Sequence, residues 1–227
     1  MSILKRWFLF IWGLFFVALG ISCAVKSMLG TTPISSIPYI FSLRYHLSLG
    51  SFTFIVNMIF LLGQILILRR KFQYIQLLQI PMTGIFSCFI DLTMFLLSSV
   101  TPEMYISKFT MMLAGVCIQA LGVALEIIGN VVTLPAEGIV NVTATHWHFN
   151  FGTTKTCFDI SLVLIAGVCS WFYFGEVYGI REGTLIAALL TGVIARFFIK
   201  YLSHIGKSGR PIFHLPFTTF RDNPEKL

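Results

Sequence analysis

The chain has 227 residues, of which 56% are hydrophobic and only 11% are charged. Soluble domains carry about 25% charged residues, so this composition excludes a soluble core as well as a disordered, collagen-like or disulfide-stabilised protein. The net charge of +7 does not indicate nucleic-acid binding, because the basic residues lie at the ends of apolar segments. The sequence therefore predicts an all-α, multipass integral membrane protein in contact with the lipid bilayer.

Six apolar segments are long enough to cross the hydrocarbon core of a bilayer, which requires about 20 residues. They lie at about 7–26, 49–68, 79–99, 108–130, 156–174 and 183–202. Basic residues before the first segment, after the second and after the sixth predict cytoplasmic N- and C-termini by the positive-inside rule. The first segment lacks a small-residue cleavage site, so we interpret it as a retained anchor and not as a signal peptide.

Two further apolar segments, 33–46 and 135–148, are too short to cross and too apolar to be ordinary loops. Each begins with a proline that follows a threonine by two residues. These residues are Thr31 and Pro33 in the first segment, and Thr133 and Pro135 in the second. Proline is favoured in the first turn of a helix. We therefore predict two half-helices that dip into the protein, with interfacial helices lying flat on the membrane as the alternative.

The two halves of the chain resemble one another when one is shifted by 102 residues. The shift aligns residues 13–57 with 115–159 without a gap and gives nine identities. The identical pairs are Gly13/Gly115, Ala18/Ala120, Leu19/Leu121, Gly20/Gly122, Thr31/Thr133, Pro33/Pro135, Ile37/Ile139, His46/His148 and Gly50/Gly152. Three crossings in each unit require the second copy to enter from the opposite side, as in inverted-repeat transporters. We predict one repeat at 1–104, a second at 105–203, and a cytoplasmic basic tail at 204–227.

An inverted repeat places a ligand site near the bilayer midplane, where interrupted helices of the two halves meet. Helix N-termini carry partial positive charge and free N–H groups, so two such ends favour a small anionic or carboxylate-bearing solute. The residues predicted to bind it are Thr31, Pro33, Asn57, Thr133, Pro135, Glu137, Lys155 and Asp159. Lys155 and Asp159 lie four residues apart on one helix face, near Glu137. This cluster is either the coupling group of a carrier or a static salt bridge.

Charged side chains within the apolar spans indicate further contacts, because each costs at least about 2.5–3.5 kcal/mol at the bilayer centre. Asp91 in the third span and Arg196 in the sixth occupy nearly equivalent repeat positions, which predicts an ion pair between the halves. Glu126 lies near the cytoplasmic end of the fourth span, where we expect it to reach headgroup water. Arg181 and Glu182 open the sixth span and form either a helix cap or an extracellular gate.

No catalytic or cofactor motif accompanies these charges. The sequence contains no Ser-His-Asp arrangement, Gly-rich phosphate loop or HExxH motif, so we expect neither an enzyme nor a bound cofactor. His146 and His148 lack a cysteine or carboxylate at matching spacing, and no metal site is predicted. The five cysteines are isolated and are interpreted as small core residues.

A set of short motifs runs through both halves of the chain. They are Leu29–Pro33, Gly84–Phe86, Ile90–Leu92, Ala120–Gly122, Glu137–Gly138, Phe151–Gly152 with Lys155, and Arg181–Thr184. As a set, over about residues 13–200, they resemble the YczE/YitT-like multipass membrane proteins of bacteria. Many relatives continue the first motif with Trp-Asp, where this chain has Ile34–Ser35. The resemblance implies a bacterial inner-membrane protein with a transporter-like shape.

Three functions fit these features. The first is a small-solute transporter, a secondary carrier whose partners are the bilayer and an unidentified small molecule. The second is a passive channel, which needs a constant polar bore. The third is a non-transporting membrane scaffold or maturation partner, which would depend on the basic tail and the Arg69–Lys71 loop more than on buried charges.

Overall fold

A computed structural model describes residues 2–202, and all regular structure within them is helical. The helices are α1 (Ile3–Lys26), α2 (Pro33–Arg44), α3 (Leu49–Leu68), α4 (Gln79–Leu96), α5 (Tyr105–Gly129), α6 (Pro135–His146), α7 (Phe151–Phe174) and α8 (Glu182–Leu202). Two 3₁₀ turns, Arg69–Lys71 and Tyr74–Leu78, connect α3 to α4. The all-α prediction is confirmed over this range, and the tail predicted at 204–227 lies outside it.

Six of the helices in residues 2–202 are long and apolar enough to cross a membrane, namely α1, α3, α4, α5, α7 and α8. A helix rises 1.5 Å per residue, so 18 or more residues span about the 30 Å of hydrocarbon. The six predicted spans are therefore present as six candidate membrane-spanning helices, the number expected of this multipass protein. Of these helices α7 and α8 are the least buried within the protein, which leaves most of their apolar surface to lipid.

The two predicted short helices are present as α2 and α6. Each has 12 residues and begins with a proline in its first turn. At 1.5 Å per residue each is about 18 Å long, too short to cross the hydrocarbon core. The two ranges are offset by the same 102 residues as the sequence repeat.

Cap residues set the ends of the long helices. Ser48 accepts a hydrogen bond from the Ser51 N–H at 3.0 Å before α3, and Asn150 accepts one from the Gly152 N–H at 2.9 Å before α7. Helix α5 ends at Asn130 in the left-handed region, with φ of 50°. The caps of α3 and α7 are again 102 residues apart, so the repeat extends to the helix starts.

Helices α1 and α5 form the central pair of the bundle. A Cβ placed on Gly122 would lie 2.7 Å from the carbonyl oxygen of Gly13, and one on Gly20 would lie 2.6 Å from that of Gly115. Gly13 faces Gly122 and Gly20 faces Gly115, so the two helices are antiparallel. Seven residues are two helical turns, so these glycines share one face and allow the backbones to touch.

The remaining contacts lie within each half for the long helices and also between the halves for the short ones. Helix α1 packs against α4, and α5 packs against α8. Both short helices, α2 and α6, lie against α3 and α7, so each contacts a long helix of the other half.

Candidate functional site

The start of α2 is bound to the connection between α7 and α8. The Thr31 N–H donates to the Gly179 carbonyl at 2.9 Å, and the Thr31 hydroxyl donates to the same oxygen at 3.1 Å. The Gly183 N–H donates to the Leu29 carbonyl at 2.9 Å. The ring of Tyr39 lies against Gly179, and burial raises the pKa of the Tyr39 phenol. The predicted residue Thr31 thus fixes α2 onto the second half of the chain.

The start of α6 is bound to the first half in the same way. The side chain of Gln64, in α3, donates from Nε2 to the Pro135 carbonyl at 3.0 Å and to Gln79 Oε1 at 3.2 Å. Gln64 and Gln79 are only 1% and 2% exposed, so these bonds are made away from solvent. Sequence reasoning missed both glutamines, although an amide within an apolar span was an available signal.

The first turns of the two short helices meet between α3 and α7, and we name this meeting point the four-helix junction. Its members are Val56 and Phe60 of α3, Ala136 and Ile139 of α6, Phe158 and Leu162 of α7, and Ile34 and Ile37 of α2. The rings of Phe60 and Phe158 pack edge to face with centroids 5.3 Å apart. The residues that follow Pro33 and Pro135 therefore converge on one cluster.

Predicted polar residues flank the four-helix junction. Asn57 is buried, and its Nδ2 donates to the Thr53 carbonyl one turn earlier in α3 at 2.8 Å. Lys155 Nζ lies 2.6 Å from Asp159 Oδ1 in α7, and the two side chains are 26% and 20% exposed. Thr133 precedes α6, and Glu137 lies in its first turn, both partly buried. The structure thus forms the predicted Lys155–Asp159 pair.

The predicted Asp91–Arg196 ion pair is not formed. Asp91 accepts hydrogen bonds from the Ser48 hydroxyl at 2.7 Å and from the Gly50 N–H at 2.8 Å. Arg196 is exposed and donates from Nε to the Gly192 carbonyl at 3.3 Å within its own helix. The carboxylate is held at the start of α3 because a helix N-terminus offers free N–H groups and partial positive charge.

The expectation that the Glu126 carboxylate reaches headgroup water is wrong for one of its oxygens. Its Oε1 is buried and has no hydrogen-bond partner, while its side chain lies against Gly13 of α1. Arg6 lies near this end of the same helix pair, donating from Nε to the Gly129 carbonyl at 2.9 Å and from Nη2 to that of Asn130 at 2.8 Å. Sequence reasoning treated Arg6 only as a topology marker, whereas it also caps the C-terminus of α5.

The proposed gate residues form an exposed pair at the start of α8. Arg181 Nε and Glu182 Oε2 are 3.5 Å apart, and their side chains are 53% and 42% exposed. A solvated pair of this kind contributes about 0–1 kcal/mol. This geometry fits a pair at the start of a helix. A role of Arg181 and Glu182 as an extracellular gate stays a prediction.

The C-terminal end of α2 is closed by a group of rings that we name the aromatic cluster. Its members are Phe41, Tyr45, Phe52 and Tyr173. Phe41 contacts the other three rings at centroid distances of 5.8–6.2 Å. The guanidinium of Arg44 lies 5.7 Å from the Tyr45 ring and 6.0 Å from the Tyr173 ring, within cation–π range. Sequence reasoning missed this cluster.

The C-terminal end of α6 borders an opening that we name the basic cavity. It has a volume of about 380 Å³ and is lined by Ile67, Leu68, Arg69, Arg70, Lys71 and His146. Arg69 adopts a left-handed conformation with φ of 47° at the end of α3.

Comparison with known proteins places the chain in a family. No curated protein and no solved structure matches it. A family model matches residues 4–200, nearly the whole chain, and it does not carry the YczE/YitT name, so that resemblance stays a prediction. The chain belongs to DUF6198, a family of unknown function.

Proposed function

We propose that the chain is a small-solute transporter, a secondary carrier, whose site lies at the four-helix junction near the bilayer midplane. One observation carries the proposal: the first turns of α2 and α6 meet α3 and α7 in a single cluster. Transporters with inverted repeats place their substrate sites where interrupted helices of the two halves meet.

The proposal includes two inverted three-helix repeats, 1–104 and 105–203. Three features support it: the offset of 102 residues between α2 and α6, the antiparallel crossing of α1 and α5, and the packing of both short helices on both halves. The hydrogen bonds between the halves support it further, since the start of α2 is bound by the α7–α8 connection and the start of α6 by Gln64 of α3. We place the protein in a bacterial inner membrane with cytoplasmic termini, because its basic residues follow the positive-inside rule.

The proposed solute is a small anionic or carboxylate-bearing molecule. The N-termini of α2 and α6 supply partial positive charge at the junction, and Lys155 supplies a full charge beside it. We assign solute contact to Asn57, Lys155 and Asp159, and proton or cation coupling to Asp159 or Glu137. Thr31, Pro33, Thr133 and Pro135 act by positioning the two helix starts.

Uptake by proteoliposomes containing the full chain tests this function. A panel of labelled small carboxylates and inorganic anions is offered, and saturable uptake of at least one is expected. Asp159→Asn should abolish that uptake without loss of folded protein, because it removes the partner of Lys155 at 2.6 Å. Glu103→Gln is the matched control, since this exposed carboxylate lies in the α4–α5 connection. The absence of both flux and ligand-induced thermal shifts across the panel would contradict the proposal.

The same assay separates the two alternatives. A passive channel gives flux that rises linearly with solute concentration, whereas a carrier saturates. A scaffold or maturation partner gives no flux, and its cellular phenotype is lost when the chain is cut after Tyr201.

A further inference from the structure

The basic cavity contains three consecutive cations at the end of a membrane-spanning helix. Arg69, Arg70 and Lys71 form the 3₁₀ turn after α3, and all three line the cavity together with His146 at the end of α6. Leu68 is buried while the three cations are exposed, so the cavity joins an apolar wall to a charged rim.

The cations of the basic cavity have no partner among the described residues. The ion pairs found in residues 2–202 that involve a lysine or arginine are Lys155–Asp159 and Arg181–Glu182, both elsewhere in the fold. No side-chain hydrogen bond from Arg69, Arg70 or Lys71 occurs within that range. Each guanidinium has five N–H donors and each ammonium has three, so the residues that line this mainly apolar cavity carry donors that the described part of the chain does not engage.

The backbone at the cavity is held in an unfavourable conformation. Arg69 has φ of 47° and ψ of −114°, outside the regions that residues with a side chain commonly occupy. Such conformations are concentrated at ligand sites and switches. Here the turn brings three adjacent cationic side chains to one cavity, and its Phe72 N–H closes on the Arg69 carbonyl at 3.2 Å.

We propose that the basic cavity is a phosphate-binding site, separate from the solute site at the four-helix junction and independent of whether the chain transports. Arginine matches phosphate with two parallel hydrogen bonds, and lysine adds a point charge. A volume of about 380 Å³ accommodates a phosphate group with a short organic substituent. The phosphate belongs either to an anionic lipid headgroup, whose chains continue along Ile67 and Leu68, or to a soluble phosphate compound.

Binding measurements on the full chain in detergent test the site with three probes: phosphatidylglycerol, phosphatidylcholine and inorganic phosphate. Native mass spectrometry counts retained lipid, and thermal shift reports phosphate. The structure predicts that phosphatidylglycerol is retained in preference to phosphatidylcholine, or that inorganic phosphate raises the melting temperature. The first result assigns a lipid headgroup and the second a soluble phosphate. If the wild-type chain shows neither preferential retention of phosphatidylglycerol nor a thermal shift with inorganic phosphate, the proposal is overturned.

Charge-removing variants test whether the cavity is responsible. Arg70→Gln should weaken binding of the effective probe roughly tenfold, the loss of one charge-assisted contact, and Arg70→Lys should retain part of it. Lys5→Gln is the control, because it removes an exposed cation in the first turn of α1, which is not among the residues that line the cavity. An equal loss in the Lys5 and Arg70 variants would show general attraction to basic residues and overturn the site.

Discussion

The two short helices have the same backbone plan and chemically different ends. Helices α2 and α6 have equal lengths, begin with proline and lie against the same two long helices. The C-terminus of α2 is closed by the aromatic cluster, whereas that of α6 opens onto the basic cavity. The comparison teaches that two segments 102 residues apart form helices of equal length against the same long helices, while the side chains at their C-terminal ends differ.

The aromatic cluster at the end of α2 and the basic cavity at the end of α6 are therefore the two regions to perturb. The α1–α5 pair, the start of α3 and the rings around Phe41 can each be altered separately. The expected effects are described from the largest to the smallest.

Gly20→Leu should disrupt the packing of the whole bundle by separating α1 from α5. The new side chain would meet the Gly115 backbone, and we expect a loss of about 3 kcal/mol or more in unfolding free energy. Gly192→Leu in α8 is the control, since nothing lies within 4 Å of a Cβ there. Size-exclusion profiles and thermal unfolding in detergent measure the difference. Equal profiles for the two variants would contradict the close packing of α1 and α5.

Asp91→Ala should loosen the end that carries the aromatic cluster. It removes the acceptor for the Ser48 hydroxyl and the Gly50 N–H at the start of α3, at a cost of about 1–3 kcal/mol. Thermal unfolding measures the loss, with Glu103→Ala as the control. The exchange Asp91→Arg with Arg196→Asp should not restore stability, because the two residues have different partners. Recovery in the double variant would restore the ion-pair interpretation.

Phe41→Ala should open the aromatic end while leaving the basic end unchanged. The expected destabilisation is about 1–2 kcal/mol, less than the about 3–5 kcal/mol of a fully buried ring, because Phe41 is only partly buried. In a chain whose other cysteines are replaced by alanine, Phe41→Ala should accelerate the maleimide labelling of Cys169, which lies one turn before Tyr173 in α7. Phe197→Ala, which removes an exposed ring of α8, is the control. An unchanged labelling rate would show that the cluster does not restrict access.

Glu182→Gln should have the smallest effect. Its pair with Arg181 is exposed, so the unfolding free energy should change by no more than about 0.5 kcal/mol. A cap at the start of α8 also predicts unchanged uptake in proteoliposomes, whereas altered uptake at unchanged stability would support the gate.

The elements of this fold could be predicted because their causes are local. Apolar length set the six spans, and Pro33 and Pro135 marked the two short helices. Ile34 and Ala136, each the residue after its proline, belong to one apolar cluster, whereas the inverted repeat from which such a meeting was predicted stays a prediction.

The partners of individual side chains could not be predicted in the same way, because they depend on how the helices pack. Equivalent repeat positions suggested that Asp91 and Arg196 pair. Residues related by a twofold axis in the membrane plane meet only when they lie on that axis, and otherwise they lie at opposite depths. The carboxylate of Asp91, in α4, contacts the start of α3, whereas Arg196 is near the end of α8. For the same reason, the sequence showed that Phe41 is apolar and that Gln64 is a polar residue in an apolar span, but it did not show which residues they contact.

Sided labelling of two equivalent loop positions tests the inverted repeat most directly. Leu47 follows α2 and Phe149 follows α6, both are exposed, and they are offset by the same 102 residues. Each is replaced by cysteine in a chain whose native cysteines are alanine, and a membrane-impermeant maleimide is applied to right-side-out and inverted vesicles. An inverted repeat predicts that position 47 labels from the outside only and position 149 from the cytoplasmic side only. Labelling of both positions from the same side would contradict the inverted repeat and, with it, the account of one closed and one open end.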